Sequence, residues 1–498
     1  MTGNLEANVD LPKSWLVTKL GSICEVVRGG SPRPMGNPKY FSGNIPFLKI
    51  ADVTKSDGKF VSQSVTHVNE EGAKKSRLLP KGSLILSNSG TVCIPKFLGA
   101  DACIHDGFVS FLEIPEEIGK DYLYYYFHYL RPHVIQKHRQ GITQVNLNTE
   151  IVSDFDLRIP PFSEQHRIVD KIEELFSDLD DGIASLKKAQ QQLKVYRQAV
   201  LKWAFDGKLT AQWREEQKRK GKLESAETLR SQIKAERERR YQGKYQEPVI
   251  PELLVFPQIP EEWSLVTLDQ LSLLITSGSR GWAKYYSNSG DFFIRAQDIN
   301  TDSLRLDQVA YVNPPKGSEG QRTSVQFGDL LITITGANVT KSALVNIDLK
   351  KAAYVNQHVG LVRLSKLVSP KFVYYWIVSP QNGRAQLTKS AYGAGKPGLN
   401  LTNLKEVIVA LPSLQEQNQI VEEIESRLSI CDSFDATIFD NLQRAEALRQ
   451  SILKQAFEGK LVPQDPNDEP ASVLLERIRT SNAAQAEDNK QTKRKQSL

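Results

Sequence analysis

The chain has 498 residues, 40% of them hydrophobic and 24% charged, with a formal net charge of +6 and a pI of about 8.8. That is ordinary globular composition, enough for about three domains of roughly 150 residues, and it excludes a fibrous or low-complexity chain. Four scattered cysteines, Cys24, Cys93, Cys103 and Cys431, form no CxxC pair, which argues against a zinc ribbon or a disulfide framework.

Those cysteines are expected as buried free thiols in a reducing compartment. The opening "MTGNLEANVDLPKSW" has no apolar signal segment. No run approaches the ~18 apolar residues of a membrane span, so a cytoplasmic location is expected. Residues 11–160 read as a first globular domain, mixed α/β. Apolar runs such as "SLILSN" and "GFVSFLEI", punctuated by Gly, Pro and Asn, read as strands. The aromatic run Tyr122 to Tyr129 reads as a helix packed under a sheet rather than a platform for stacking bases.

Residues 161–209 read as one long helix, opened by prolines and stopped at Gly207. Residues 210–258 form a polar helical connector, in which Ala211 to Pro248 carries 11 Lys/Arg against 7 Asp/Glu. A second α/β domain follows at 259–412, with "DLLITITG" and "VGLVRL" as strands and Phe372 to Trp376 as the aromatic helix. Residues 413–462 form a second long helix, stopped at Gly459, and 463–498 are a docking segment and basic tail.

The chain is written twice. "LKWAFDGKL" (Leu201 to Leu209) returns as "LKQAFEGKL" (Leu453 to Leu461), 252 residues later. Without a gap, 20 of the 50 positions from Pro160 to Leu209 are identical to their counterparts at that offset. Earlier segments match more loosely: "PKSW" answers "PEEW", "FLKIADV" answers "FIRAQDI", and "KGSLILSNSGTV" answers "FGDLLITITGANV". In the first long helix Ile168, Ile172, Leu175, Leu179, Gly182, Leu186, Ala189, Leu193, Tyr196, Val200 and Trp203 follow heptad spacing. In the second, the same register includes Ile420, Phe434, Leu448 and Gln455. Two equal rods with apolar seams in one chain predict an antiparallel coiled coil.

No catalytic pattern emerges from the residues. "NPPK" (Asn313 to Lys316) ends in Lys where amino-methyltransferases carry an aromatic, and no glycine-rich cofactor turn precedes it. "GAGKPG" fails as a phosphate loop, since Ser390 stands where the first glycine belongs and Pro397 replaces the Ser/Thr. The seven histidines give no HxxxH or HExxH, and GxSxG is absent.

"IPPFSEQHRIVDKIEELF", "YRQAVLKWAFDGKLTAQWR", "LPSLQEQNQIVEEIE" and "LRQSILKQAFEGKLVPQDPNDEPASVLLERI", with the openings "PKSW" and "PEEW", carry a specific resemblance. The chain resembles the specificity subunit of type I restriction-modification enzymes over roughly Leu11 to Arg479. The second opening, "LITSGSRGWAKYY", departs by lacking the Gly-Ser-Pro turn of the first. The resemblance implies an α+β architecture: two mixed α/β target-recognition domains joined by two long helices in an antiparallel coiled coil, a pseudo-twofold repeat. It implies a non-catalytic DNA-recognition subunit in which each domain reads half of a bipartite site and the coil fixes the spacer. The implied partners are double-stranded DNA, two modification subunits and restriction subunits. S-adenosylmethionine, ATP and Mg would belong to those partners, with no cofactor in this chain. The competing reading is a stand-alone DNA methyltransferase or nuclease.

If the chain reads DNA, features shared by both copies should be scaffold, and features that differ should carry each half's choice. In the first domain the loops "RGGSPRP" and "SNSGT" supply Arg28, Ser31, Arg33, Ser87, Asn88, Ser89 and Thr91 as candidates for base edges and phosphates. Lys39, Lys49 and Lys96 are candidates for phosphate. In the second, Arg280, Trp282, Lys284 and Tyr285 stand in one loop and Thr335, Asn338 and Lys341 in the other. Arg295 matches Lys49, and Lys396 sits in the glycine loop. Partner contacts are expected at the helix ends near Phe205 and Phe457 and at the echoing connector and C-terminal segments.

Overall fold

The computed structural model describes residues 10–138, 147–240, 246–250, 259–278, 280–315, 323–393 and 397–480. The chain divides into two units, Met1–Leu186 with Asp440–Leu498, and Lys187–Phe439. Each therefore takes its final helical segments from the other sequence repeat.

In the first unit a five-stranded sheet runs Glu25–Arg28, Phe108–Leu112, Leu84–Ser87, Pro95–Leu98, Phe60–Val61. Leu84–Ser87 is buried throughout and Phe108–Leu112 almost throughout, which is why both read as continuous apolar runs. A four-stranded sheet runs His67–Val68, Ile45–Leu48, Ala102–Ile104, Arg77–Leu79. The aromatic run lies in the helix Lys120–His138, where Tyr122, Tyr126 and Phe127 are core residues and Phe127 stacks on Phe111 at 4.9 Å. Aromatic area buried under a sheet stabilises the domain, and this run is core rather than a stacking platform for bases.

The second unit repeats the plan with two four-stranded sheets. One runs Ser272–Ser277, Val359–Leu364, Leu330–Thr333, Ser342–Leu344, and the other Tyr286–Ser287, Ala310–Val312, Asp291–Ile294, Ala353–Val355. Its aromatic helix is Pro370–Val378. In each domain a two-stranded antiparallel ribbon ties entry to exit: Leu16–Lys19 pairs with Asp156–Ile159, and Ser264–Thr267 with Ile408–Leu411. The long helix thus leaves each domain beside the point where the chain entered it.

Both long helices, Phe162–Phe205 and Leu414–Phe457, have 44 residues. Their antiparallel pairing is present within each unit. In the first, Ile168, Ile172 and Phe176 share a core with Ile452, Leu453, Ala456 and Phe457. In the second, Val200, Ala204 and Phe205 share one with Ile420, Val421 and Ile424. Equivalent residues exchange roles: Arg449 pairs with Asp180 in the first unit, and Arg197 with Asp432 at 2.7 Å in the second. Arg449 and Arg197 are one repeat position, Asp180 and Asp432 another.

The heptad register itself needs correction. Tyr196, Trp203, Phe434 and Leu448 are 39%, 42%, 55% and 51% exposed. In the first helix the inward stripe runs instead through Leu193, Arg197, Val200 and Ala204. In the second it runs through the equivalent positions Ala445, Arg449, Ile452 and Ala456. From Ile168 to Ala204, and from Ile420 to Ala456, 36 residues pass in ten steps. That is the 3.6 period of an α-helix rather than the strict 3.5 of a heptad, so the inward stripe drifts off the heptad positions along each helix.

The repeated phrase at each helix end packs internally. Phe205 is 2% exposed and meets Phe372 and Trp376 at 5.8 and 5.0 Å. Phe457 is fully buried and meets Tyr122, Tyr126 and Tyr129 at 5.2, 5.0 and 5.3 Å. The segments that follow are internal as well. Ala226, Leu229 and Ile233 of the connector helix Ala226–Arg240 are buried in the second unit, and Ala471, Leu474 and Ile478 are buried in the first. Their shared 0, 3, 7 spacing is one face of a helix.

Gly207 and Gly459 adopt φ of 71° and 70°. A Cβ on Gly459 would lie 2.4 Å from Pro12 Cγ. Gly459→Ala is expected to cost about 1–2 kcal/mol from the left-handed backbone alone, and more from the collision. A lowered urea midpoint for the first unit would show it; an unchanged midpoint would contradict it. The four cysteines are buried and free. Among the described residues no helix is long and apolar enough to cross a membrane.

Candidate nucleic-acid interface

Two junctions hold each domain to the root of its long helix. The indole N–H of Trp15 donates to the Glu164 carboxylate at 3.0 and 3.1 Å, and that of Trp263 to Glu416 at 3.1 Å. Gln165 accepts from the Gly119 amide and Gln417 from the Ser369 amide, both at 2.9 Å. The shared "EQ" of the repeat is therefore scaffold. Around Glu416 the second unit adds Arg214 and Thr210, each within 2.7 Å of the carboxylate. In the first unit the neutral amide of Gln464 donates to Glu164. Burial pushes the Glu164 carboxyl up from its ordinary value.

Above this scaffold, the structure brings the two predicted loops of each domain together through a third element. In the first domain, Gly29 N donates to Phe108 O at 2.9 Å and Asn88 N to Gly107 O at 2.8 Å. The turn His105 to Gly107 thus joins "RGGSPRP" to "SNSGT". In the second, Ile334 N donates to His358 O at 2.9 Å. A Cβ on Gly278 would lie 2.0 Å from Val355 O, so only glycine allows that approach. This turn was missed because "IHDG" and "VNQH" match at no aligned position. Its only sequence signal is its place just before the apolar strand of each copy.

Within the first domain, Arg28 is exposed and its Nε donates to Asp106 O at 2.8 Å. Arg33, 68% exposed at its side chain, pairs with Asp106 at 3.1 Å. Ser31 Oγ accepts from the Asp106 amide at 3.3 Å. Lys39 is exposed, 3.8 Å from Glu71. Lys49 caps a helix through its backbone N–H to Asp52 at 2.8 Å, leaving its side chain half-buried. Ser89 is half-buried and Thr91 exposed.

Three first-domain candidates are corrected to scaffold. Ser87 is fully buried, with its Oγ donating to Thr91 O at 2.6 Å. Asn88 is 1% exposed beneath the turn. Lys96 is buried, and its ammonium donates to Ser56 O at 2.8 Å and to Gly58 O. A missed neighbour is "KKSR": Ser76 Oγ donates to Gly30 O and Arg77 Nε to Arg28 O, which sets exposed Lys74 and Lys75 beside the Arg28 loop.

In the second domain Arg280 and Lys284 are exposed, and Tyr285 is half-buried under the Lys284 ammonium at 5.0 Å. Trp282 is corrected to core: it is 5% exposed and stacks on Phe293 at 5.6 Å. Arg295 occupies the same capping position as Lys49, but its guanidinium is spent on Asp298 at 2.9 Å and Gln308 O at 2.7 Å. Thr335 bridges to Gly398, Asn338 donates to Ala296 O at 3.2 Å, and Lys341 lies 3.5 Å from Asp302. Lys396 lies outside the described residues.

Fold and site together define a repeat protein with two domains built on one plan. Each is an α/β domain with a polar, basic loop cluster, rooted on an antiparallel pairing of the two long helices. The model of the type I restriction modification DNA specificity domain matches twice, at residues 12–194 and 260–442, and the chain belongs to that family. It is 26% identical to the EcoBI specificity subunit of Escherichia coli, over 97% of this chain and 95% of that protein. It is 24% identical to the EcoKI specificity subunit of Escherichia coli K12, over 95% and 97%. In fold it is similar to a chain from a study of assembly and conformational transition in the type I R-M system, with TM-score 0.66 at 16% identity over 91% of this chain and all of that one. It is also similar to the HsdS subunit from Thermoanaerobacter tengcongensis, with TM-score 0.50 at 17% identity over 92% of this chain and all of that one.

Proposed function

We propose that this chain is the DNA sequence-recognition subunit of a type I restriction-modification system. Each globular domain reads half of a bipartite site, and the paired helices set the spacer between the halves. The observation that carries this reading is the exchanged construction: two domains share one plan, and each is completed by the helix end of the other repeat. Such a chain holds two readers on a rod that cannot stretch, and half-sites on one face of DNA recur about every 34 Å. Arg, Lys and hydroxyl groups in the loops contact phosphates and base edges, while the differing loops choose bases.

The chain supplies recognition and leaves chemistry to its partners in the cytoplasm. Two modification subunits bring S-adenosylmethionine and methylate adenine, and restriction subunits use ATP and Mg. Mapping methylated adenines in DNA exposed to this chain with its modification subunits tests the proposal. A bipartite motif with a fixed gap is expected. A continuous motif, or methylation that does not need this chain, overturns it.

A further inference from the structure

The turn that joins the two loops has one backbone frame in both domains. His105 N donates to Leu48 O and Asn356 N to Ile294 O, at 3.0 and 2.9 Å. Phe108 N returns to His105 O and Val359 N to Asn356 O, both at 3.0 Å. Even the side-chain closure is shared: His105 Nδ1 accepts from the Gly107 amide at 2.9 Å, and Asn356 Oδ1 from the His358 amide at 3.0 Å. On this common frame Asp106 and Gln357 occupy the same position with different chemistry.

Both are partly open to solvent, and both already hold a neighbour: Asp106 Oδ1 lies 2.8 Å from His105 Nδ1, and Gln357 Nε2 lies 3.2 Å from His358 Nε2. The Asp106 side chain is 30% exposed and Gln357 is half-buried. Asp106 is the hub of its cluster: its backbone holds Arg28 and Ser31, and its carboxylate holds the Arg33 guanidinium. Beneath it, Asn88 Oδ1 is buried without a hydrogen-bond partner among the described residues, an acceptor that a water or ligand donor would complete. A fixed frame carrying a variable side chain is how a repeated reader changes its letter without changing its scaffold.

Resting on the DNA-reading function proposed above, we infer that Asp106 and Gln357 are base-selecting residues, one for each half-site. Asp106 and Arg33 read one C·G pair together. The carboxylate accepts from cytosine N4, while the adjacent guanidinium donates to guanine O6 and N7. Gln357 reads an A·T pair, its amide accepting from adenine N6 and donating to N7.

The test is selection from a randomised duplex library by the full chain with its modification subunits, for wild type, D106N, D106A and Q357E. D106N is expected to move one position of one half-site from cytosine toward adenine. D106A should flatten that position by roughly ten-fold. Q357E should move one position of the other half-site from adenine toward cytosine. The untouched half-site reports in each case that the variant is folded. Wild-type preferences retained at every position in all three variants overturn the inference. If the Asp106 variants bind nothing, the Gln357 arm decides in the same terms. A wild-type complex that selects no bipartite motif sinks the function reading, which is a different outcome.

Discussion

Phe457→Ala is expected to destabilise the first unit by about 3–5 kcal/mol, although Phe457 belongs to the second sequence repeat. The ring is fully buried among Tyr122, Tyr126 and Tyr129 of the helix Lys120–His138. Its own carbonyl at the helix end is held too, since Arg158 Nη1 donates to Phe457 O at 2.9 Å. Truncation leaves a cavity that this aromatic wall fills poorly. Phe205→Ala should do the same to the second unit, against Phe372 and Trp376. Hydrogen exchange resolves the two. Phe457→Ala should speed exchange in Lys120–His138 and leave Pro370–Val378 protected, and Phe205→Ala should do the reverse. Loss of protection in the domain of the same repeat would contradict the exchanged arrangement.

The two junctions should fail unequally. In the second unit Arg214 and Glu416 form an ion pair at 2.7 Å with side chains only 9% and 1% exposed. Arg214→Ala leaves a buried carboxylate facing, among the described residues, only Trp263 and Thr210, an expected loss of about 3–5 kcal/mol. At the first junction the donor is neutral, so Gln464→Ala should cost about 1–3 kcal/mol. The first junction also carries a pH signature. The Glu164 carboxyl is raised by burial, so the folded unit holds its proton more tightly than the unfolded chain does. Its stabilising contribution is present at acid pH and is lost as pH rises through the raised value. Relative to Glu164→Gln, the wild-type first unit should therefore gain in melting temperature as pH falls from neutral toward the ordinary carboxylate range. A gain in the opposite direction would contradict this.

Much of this design was legible in the letters. The repeat, the two 44-residue helices, their glycine stops and the apolar strands follow from period, proline and glycine placement. The register was not, because Tyr196, Trp203, Phe434 and Leu448 are apolar yet exposed, while Arg197 and Arg449 turn inward to carboxylates. Heptad counting assumes a 3.5 period and hydrophobic positions, whereas the inward stripe follows 3.6 and includes two arginines. Among site residues, loop location was readable but burial was not. Ser87, Lys96 and Trp282 look like contact residues in composition, but their hydrogen bonds or ring contacts lie within their own domain. The turn carrying Asp106 and Gln357 escaped because its likeness lies in backbone hydrogen bonds, not in residue types.

The most direct measurement of the ruler lengthens both helices at matched points, between Lys188 and Ala189 and between Asp440 and Asn441. An insertion of about 22 helix-forming residues adds ~33 Å and close to six whole turns, which keeps the buried stripe inward. That length is nearly one turn of DNA, so both readers meet the same face again. Methylated-adenine mapping should return the same two half-sites with a spacer longer by about ten base pairs. The original spacer, retained at full methylation by the lengthened chain, would contradict the account.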